Sequence, residues 1–281
     1  MHTMPMHNME TLASEKNSLL KEVRRASARG SVTSDGLAVA EGFNLLEEAL
    51  RSRCELPVVI AAESVKTAVA AHVRGLKHTR LIMVSDSSFE KLASTETPQG
   101  VIALVRPPAW TLDQLLRGRP LVVLLDGIQD PGNAGAIVRA AEAFGATGTA
   151  FLAGCVNPYN PKTLRASAGS LFRLPIVASV DENLLGAALE QKRVRLFAAH
   201  AHADKPGAEK LAFDADLTGA CAIVIGAEGR GVSPTLQRRS IGIRIPTSGV
   251  ESLNAAVAAG VLLYEASRQR ARQNHQATSR P

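Results

Sequence analysis

The chain has 281 residues, 46% of them hydrophobic and 21% charged, with a net charge of +6 and a pI near 9.5. That length allows two ordinary domains or one large one, and the composition excludes a disordered or fibrous protein. The mild basicity fits either a basic surface or a polyanionic partner, while an aromatic share of 4% argues against recognition by broad aromatic stacking.

In chain order, residues 1–14 read as a mobile end. EKNSLLKEVRRASARG is an exposed helix, with Gly30 as its left-handed stop. LAVA is a strand, and GFNLLEEALRS is a helix that places Phe43, Leu45, Leu46 and Leu50 at helical spacing. LPVVIAA, RLIMVS and QGVIALV follow as strands, separated by helices over ESVKTAVAAHVRG and DSSFEKLAS. Strands alternating with helices give a small α/β sandwich over residues 15–106. RPPAW at 106–110 forbids regular structure and opens a linker over 107–119.

The alternation resumes over residues 120–272. LVVLLD is a continuous apolar strand, hence buried on both faces. A helix begins near Gly135 within NAGAIVRAAEAFG and is closed by Gly145. ATGTAFL, RLPIVAS, VRLFAAH, CAIVIG and IGIRIP are strands, KTLRASAGSLF and NLLGAALEQ are helices, and SLNAAVAAGVLLYEASRQR is a long final helix. The expected result is a mostly parallel sheet with helices on both faces, followed by a mobile polar tail over 273–281.

Cys54, Cys155 and Cys221 lack CxxC spacing, which points to reduced thiols in a cytosol rather than a disulfide frame or a structural zinc. His200 and His202 form a close pair without a third ligand nearby, so no metal is expected. The start, MHTMPMHNME, lacks the apolar core of a signal peptide, and no apolar run reaches the ~20 residues of a membrane span. The expected location is cytoplasmic.

Three segments at strand ends can do chemistry. LLDGIQDPGNAGAIVRAAEAFG (124–145) runs from a buried strand through a loop to a helix N-terminus, where free N–H groups suit a ligand. Its glycines are spaced GxxxxGxxG, not the GxGxxG of a dinucleotide site. Arg139 lies about one turn inside that helix and offers a fork of donors suited to a phosphate, although a surface arginine is the plainer reading. AIVIGAEGRGVSP (222–234) carries Gly226, Gly229 and Gly231 for a sharp turn with close backbone approach, together with one acid, Glu228, which could equally balance Arg230. IPTSGVESLNAAVAAG (245–260) is a loop running into a helix stripped to small residues. Ser252 or Asn254 is placed to cap that helix, and the small side chains let another backbone or a ligand sit close.

In this order, NxGxxxR, GxExxGxS and IPxxGxxSLNxxxA resemble the motifs of the SpoU (TrmH-like) family of RNA ribose 2′-O-methyltransferases, over residues 120–272. RASAGSLFRLP (165–175) is similar to the family as well, and AEGFNLLEEAL and TPQGVIALV look like the substrate-binding domain that many members carry ahead of the catalytic one. The resemblance implies a SPOUT domain with a deep trefoil knot and a homodimer through that domain. It implies S-adenosylmethionine as cofactor, no metal, and RNA as partner, with ribosomal RNA favoured over tRNA. On matching motif positions it implies cofactor contacts at Gly226, Ala227, Gly231, Ile245, Pro246, Leu253 and Asn254, and a catalytic group of Arg139, Asn133, Glu228, Ser252 and Asn254. Methyl transfer to a hydroxyl asks mainly for in-line positioning, which can supply ~7–11 kcal/mol. Because a guanidinium scarcely deprotonates, Arg139 is expected to grip the target phosphate and orient the 2′-hydroxyl, the others holding it in register. Only RNA carries that hydroxyl, so DNA is excluded as substrate. A noncatalytic RNA-binding protein on the same fold remains an alternative.

Overall fold

The structure is a computed structural model that describes residues 9–12, 17–200 and 209–278. Contacts gather the chain into two units, Met1–Ala109 with Tyr159–Arg173, and Trp110–Pro158 with Leu174–Pro281.

The first unit contains β1 (Met9–Thr11), α1 (Ser18–Arg29), β2 (Ala38–Glu41), α2 (Phe43–Arg51), β3 (Val58–Ala62), α3 (Lys66–His72), β4 (Arg80–Val84), α4 (Asp86–Glu90) and β5 (Val101–Val105). The strands lie in the order β1-β4-β3-β5-β2. β1 and β3 run parallel to β4, and β5 is antiparallel to both β3 and β2. Leu20 and Val23 of α1 and Phe89 of α4 pack with Val39, Ile60, Ile82 and Leu104 to form its core. Gly30 closes α1 in the left-handed region at φ 62°.

Residues 159–173, expected within the second domain, group with this unit through α7 (Pro161–Ser167). Leu164, Leu171 and Phe172 of this segment are buried, and ion pairs add to its attachment. The buried Glu41 carboxylate accepts from the amides and hydroxyls of Ser94 and Thr95, and Arg165 approaches it to 3.8 Å. Arg173 pairs with Glu48 in the same unit.

The second unit contains α5 (Leu112–Leu115), β6 (Leu121–Asp126), α6 (Pro131–Ala143), β7 (Gly148–Phe151), β8 (Ile176–Ala178), α8 (Glu182–Gln191), β9 (Arg195–His200), β10 (Glu209–Leu211), β11 (Cys221–Gly226), α9 (Pro234–Arg239), β12 (Ile241–Arg244) and α10 (Ala255–Thr278). Its sheet runs β10-β12-β9-β11-β6-β7-β8, and every pairing is parallel. Parallel strands place all their carboxyl ends on one edge. From β6 the chain steps out to β7 and β8, then returns beyond β6 to β9 and β12, with β11 inserted between β9 and β6. That reversal puts the loops after β6 and β11 side by side, at the kind of edge where open α/β sheets bind ligands.

Alternation along the strands sends Val122, Leu124, Ala222 and Val224 into a core with Leu115, Leu185, Leu189 and Leu236. On the opposite face α6 and α10 pack together, and α10 also touches β11. Ala259, Leu262, Leu263 and Ala266 are the buried side of α10. Its far end is tied down by Arg270, whose guanidinium donates to the carbonyls of Leu217, Arg119, Pro120 and Gly219.

Five expectations change. Met9–Thr11, within the expected mobile end, joins the first sheet by pairing with β4. The expected linker contains α5, because Thr111 and Gln114 form a reciprocal capping box. α6 starts four residues before Gly135, since Asp130 accepts the Asn133 N–H and Pro131 occupies the first helical position. β10 was not anticipated; three residues carry too little pattern to recognise. α10 continues to Thr278 through the expected tail, and Arg119 donates to Gln273 and Asn274 there.

Candidate functional site

The second unit's loops are shaped by backbone fit before any side chain enters. β11 ends at Gly226, where a Cβ would run into the backbone of Gly231 and Val232. Gly231 N–H donates to the Ala227 carbonyl at 2.8 Å, and Gly229 and Gly231 take φ values of +82° and +68°. Only glycine fits a turn this tight without strain. Asp126, buried at the end of β6, accepts the Ser233 N–H at 2.6 Å and fixes that turn beside the preceding strand. The loop after β12 ends at Asn254, whose Oδ1 accepts the N–H groups of Ala256 and Val257 at 2.9 and 3.3 Å and so caps α10. Of the two capping candidates, Asn254 does the work.

Three side chains then join the three loops. Asn133 Nδ2 donates to Glu228 Oε1 at 2.8 Å, and Asn254 Nδ2 donates to the same oxygen at 2.8 Å and to Asn133 Oδ1 at 3.0 Å. A hydrogen bond to a charged group contributes about 1.5–3 kcal/mol, less in an exposed position such as this. The larger consequence is geometric, because the triangle fixes the mutual positions of loops that start from different strands.

Beside the triangle lies a cavity of about 530 Å³. Gly226, Ala227, Gly231, Ile245 and Leu253 of the expected cofactor set line it, and so do Glu228 and Ser252 of the expected catalytic set. Pro246 and Asn254 of the cofactor set are not among its lining residues. Ala255 and Ala258 face the cavity from α10, so larger side chains there would fill it. Gly260 has open space around its Cβ position, and Val257, Val261 and Tyr264 stand exposed along the same helix. The small residues of α10 therefore serve two faces, one toward the cavity and one outward.

A second hollow, of about 320 Å³, adjoins the first and is lined by Gly127, Asp130 and Asn133. Ala227, Glu228 and Arg230 line both. Sequence reasoning weighed Arg230 only as a partner for Glu228, yet they form no ion pair among the described residues. Arg139 is exposed on α6, lines neither hollow, and has no hydrogen-bond partner among the described residues.

Other chemistry finds little support here. Burial pushes the Cys54 thiol up to about 11, and it also raises Cys155 and Cys221, so none is a thiolate at neutral pH. All three cysteines are free. Among the described residues no three His, Cys, Asp or Glu side chains gather as a metal site. The His200–His202 pair lies outside this statement, since residue 202 is not described and His200 enters only through its backbone in β9. No helix among the described residues is long and apolar enough to cross a membrane. What remains around the cavity is two carboxylates, Glu228 and Glu251, two hydroxyls, Thr247 and Ser252, the Gln237 amide, the Arg230 guanidinium and apolar and main-chain groups, an arrangement that binds and positions.

Comparison with known proteins agrees. Residues 120–264 match the SpoU rRNA Methylase family, and residues 17–103 match the MRM3-like substrate binding domain. An uncharacterized tRNA/rRNA methyltransferase of Synechocystis is 33% identical over 93% of this chain and 95% of its own. The 23S rRNA guanosine 2′-O-methyltransferase RlmP of Bacillus subtilis is 30% identical over 91% of this chain and 98% of its own. The SpoU methyltransferase AviRb of Streptomyces viridochromogenes, in complex with AdoMet, superposes with a TM-score of 0.77 at 27% identity, covering 91% of this chain and 100% of that one.

Asn254→Ala removes the cap and two of the triangle's three bonds, leaving Asn133 on Glu228. A lost cap costs about 0.5–2 kcal/mol, and each kcal/mol lowers Tm by about 2–4 °C in a domain of this size, so melting should fall by several degrees. Asn254→Asp keeps the capping oxygen but loses both donors and sets a second carboxylate beside Glu228. It should melt no higher than the Ala variant at neutral pH; full recovery by Asp would mean that the triangle contributes nothing beyond the cap.

Proposed function

The chain belongs to the SpoU rRNA Methylase family, and on that premise we propose that it methylates a ribose 2′-hydroxyl of ribosomal RNA, using S-adenosylmethionine. The observation that carries this reading is the Asn133–Glu228–Asn254 triangle, which joins three loops that each carry one family motif, beside a cavity lined from the second and third of them.

The residues present fit the cofactor. The cavity volume lies in the range of about 300–1,000 Å³ usual for small-molecule sites. Ile225, Ile243, Ile245 and Leu253 give it an apolar surface suited to a flat ring, while Glu228, Thr247, Glu251 and Ser252 add polar groups. S-adenosylmethionine, when bound, supplies an electrophilic methyl group on a sulfonium. Gly226, Ala227, Gly231, Ile245 and Leu253 would hold it largely through main-chain groups, with Pro246 shaping the chain next to Ile245 and Asn254 keeping the third loop closed over it. Asn133, Glu228 and Ser252 orient the ribose at the rim. With its five donors unengaged among the described residues, Arg139 serves as a grip on the phosphate of the target nucleotide.

Residues 15–106 form the domain that docks RNA, supported by the substrate-binding match over 17–103; residues 107–119 connect it to the catalytic domain, 120–272. A cytoplasmic location belongs to the same reading and fits three free thiols. A deep trefoil knot and a homodimer through the second domain belong to the same reading. Val257, Val261 and Tyr264, which are 52%, 40% and 56% exposed, support the dimer as an apolar stripe on α10. The open side of Gly260 leaves room there for a neighbouring backbone.

Labelled methyl groups should pass from S-adenosylmethionine to ribosomal RNA and map to a ribose, and the cofactor, unlike NAD, should raise Tm. Arg139→Ala should lower turnover ~100-fold, the scale of a misplaced reacting group, with cofactor affinity kept; near-normal turnover would exclude Arg139 as the central group. Sedimentation equilibrium should give twice the chain mass, reduced to the chain mass in Tyr264→Asp, whereas a monomeric parent protein would remove the dimer.

A further inference from the structure

Arg230 lies in the turn between β11 and α9 and reaches across to the loop after β6. Its guanidinium rests against Gly127, where a Cβ would strike Nη2. Gly127 also takes φ +71°, so both its backbone and its missing side chain make room for this arginine. Arg230 lines the large cavity and the smaller hollow beside Asn133.

Two carboxylates line that smaller hollow, and neither is paired with Arg230. Asp130 Oδ1 is engaged by the Asn133 N–H at 2.7 Å, and Glu228 Oε1 by the side-chain amides of Asn133 and Asn254. Among the described residues Arg230 has neither an ion pair nor a hydrogen bond. The amides hold one oxygen of each acid without cancelling its charge, and the fork of donors on Arg230 stays open to an acceptor from outside the chain.

Resting on the methyltransferase reading, we propose that Arg230 binds the RNA phosphodiester adjoining the target ribose and so positions the substrate. The carbon bearing the 2′-hydroxyl adjoins the carbon bearing the 3′-phosphate. A ribose cannot present that hydroxyl at the wall between the two hollows without bringing a phosphate to the same place. The carboxylate of S-adenosylmethionine offers related chemistry from the other side. Arg230 is exposed and turned toward Gly127 and the outer hollow, which favours the phosphate.

The test uses the full-length protein, with steady-state methyl transfer to ribosomal RNA and calorimetric titration of S-adenosylmethionine. Arg230→Ala should raise KM for RNA about 10-fold, the effect of one lost charge-assisted contact. It should also reduce the salt dependence of RNA affinity by about one phosphate contact, with cofactor Kd unchanged within about twofold. Arg230→Lys restores charge without the fork and should recover only part of the affinity. An unchanged RNA KM in an active Arg230→Ala enzyme would overturn the proposal. So would a weakened cofactor Kd with RNA KM preserved, which would give Arg230 to the cofactor's carboxylate. Failure of the parent protein to methylate any RNA would overturn the methyltransferase reading and this inference with it.

Discussion

A single carboxylate oxygen, Glu228 Oε1, accepts from two asparagine amides that come from opposite ends of the second unit. Asn133 stands at the start of α6, Glu228 in the turn after β11, and Asn254 at the entry to α10. Each loop leaves a different strand; Asp126 and Ser233 tie the first two, and this meeting point brings in the third. With it, the cavity has fixed walls, and the residues that approach a substrate are spaced by hydrogen bonds instead of by loop flexibility. Neutral amides are well chosen for this, because they hold the glutamate without neutralising the charge of Arg230 or Arg139.

The parallel sheet makes the meeting possible, and the glycines make it compact. Seven parallel strands put every motif on one edge, and the insertion of β11 between β9 and β6 brings the second motif against the first. Gly226 then lets the backbone of Gly231 and Val232 press onto the strand end, while Asp126 anchors Ser233 from below. Ala255 and Ala258 on α10 extend the same economy of side chains to the cavity wall. At Gly226 a Cβ already exceeds the space available, and larger side chains at Ala255 and Ala258 would fill the cavity, so substitutions at these three positions act on volume.

Much of this was legible in the chain. LVVLLD and CAIVIG are uninterrupted apolar runs, the signature of strands covered on both faces, and both are fully parallel and buried. Glu228 was visible as the one acid among the glycines of its turn, Asn254 as a candidate helix cap, and Asn133 through the motif NxGxxxR that the chain shares with the family. Other features were hidden for physical reasons. The α6 start depended on Asp130 as cap, while the sequence drew attention to Gly135. Arg230 was obscured because an arginine two residues from a glutamate reads as its ion pair, whereas tertiary contacts with Asn133 and Asn254 occupy that glutamate. The grouping of residues 159–173 with the first unit draws on Arg165 and Arg173 meeting Glu41 and Glu48, distant pairs that no local pattern announces.

The claim beneath all of this is that Asn133 and Asn254 act through one another. A double-mutant cycle on Asn133→Ala and Asn254→Ala, read out as S-adenosylmethionine affinity by calorimetry, measures that directly. Coupled residues should show an interaction energy of about 0.5–3 kcal/mol, with the double variant losing less than the two single losses combined. Losses that simply add, within about 0.3–0.5 kcal/mol, would mean the two loops are held independently and the triangle organises nothing.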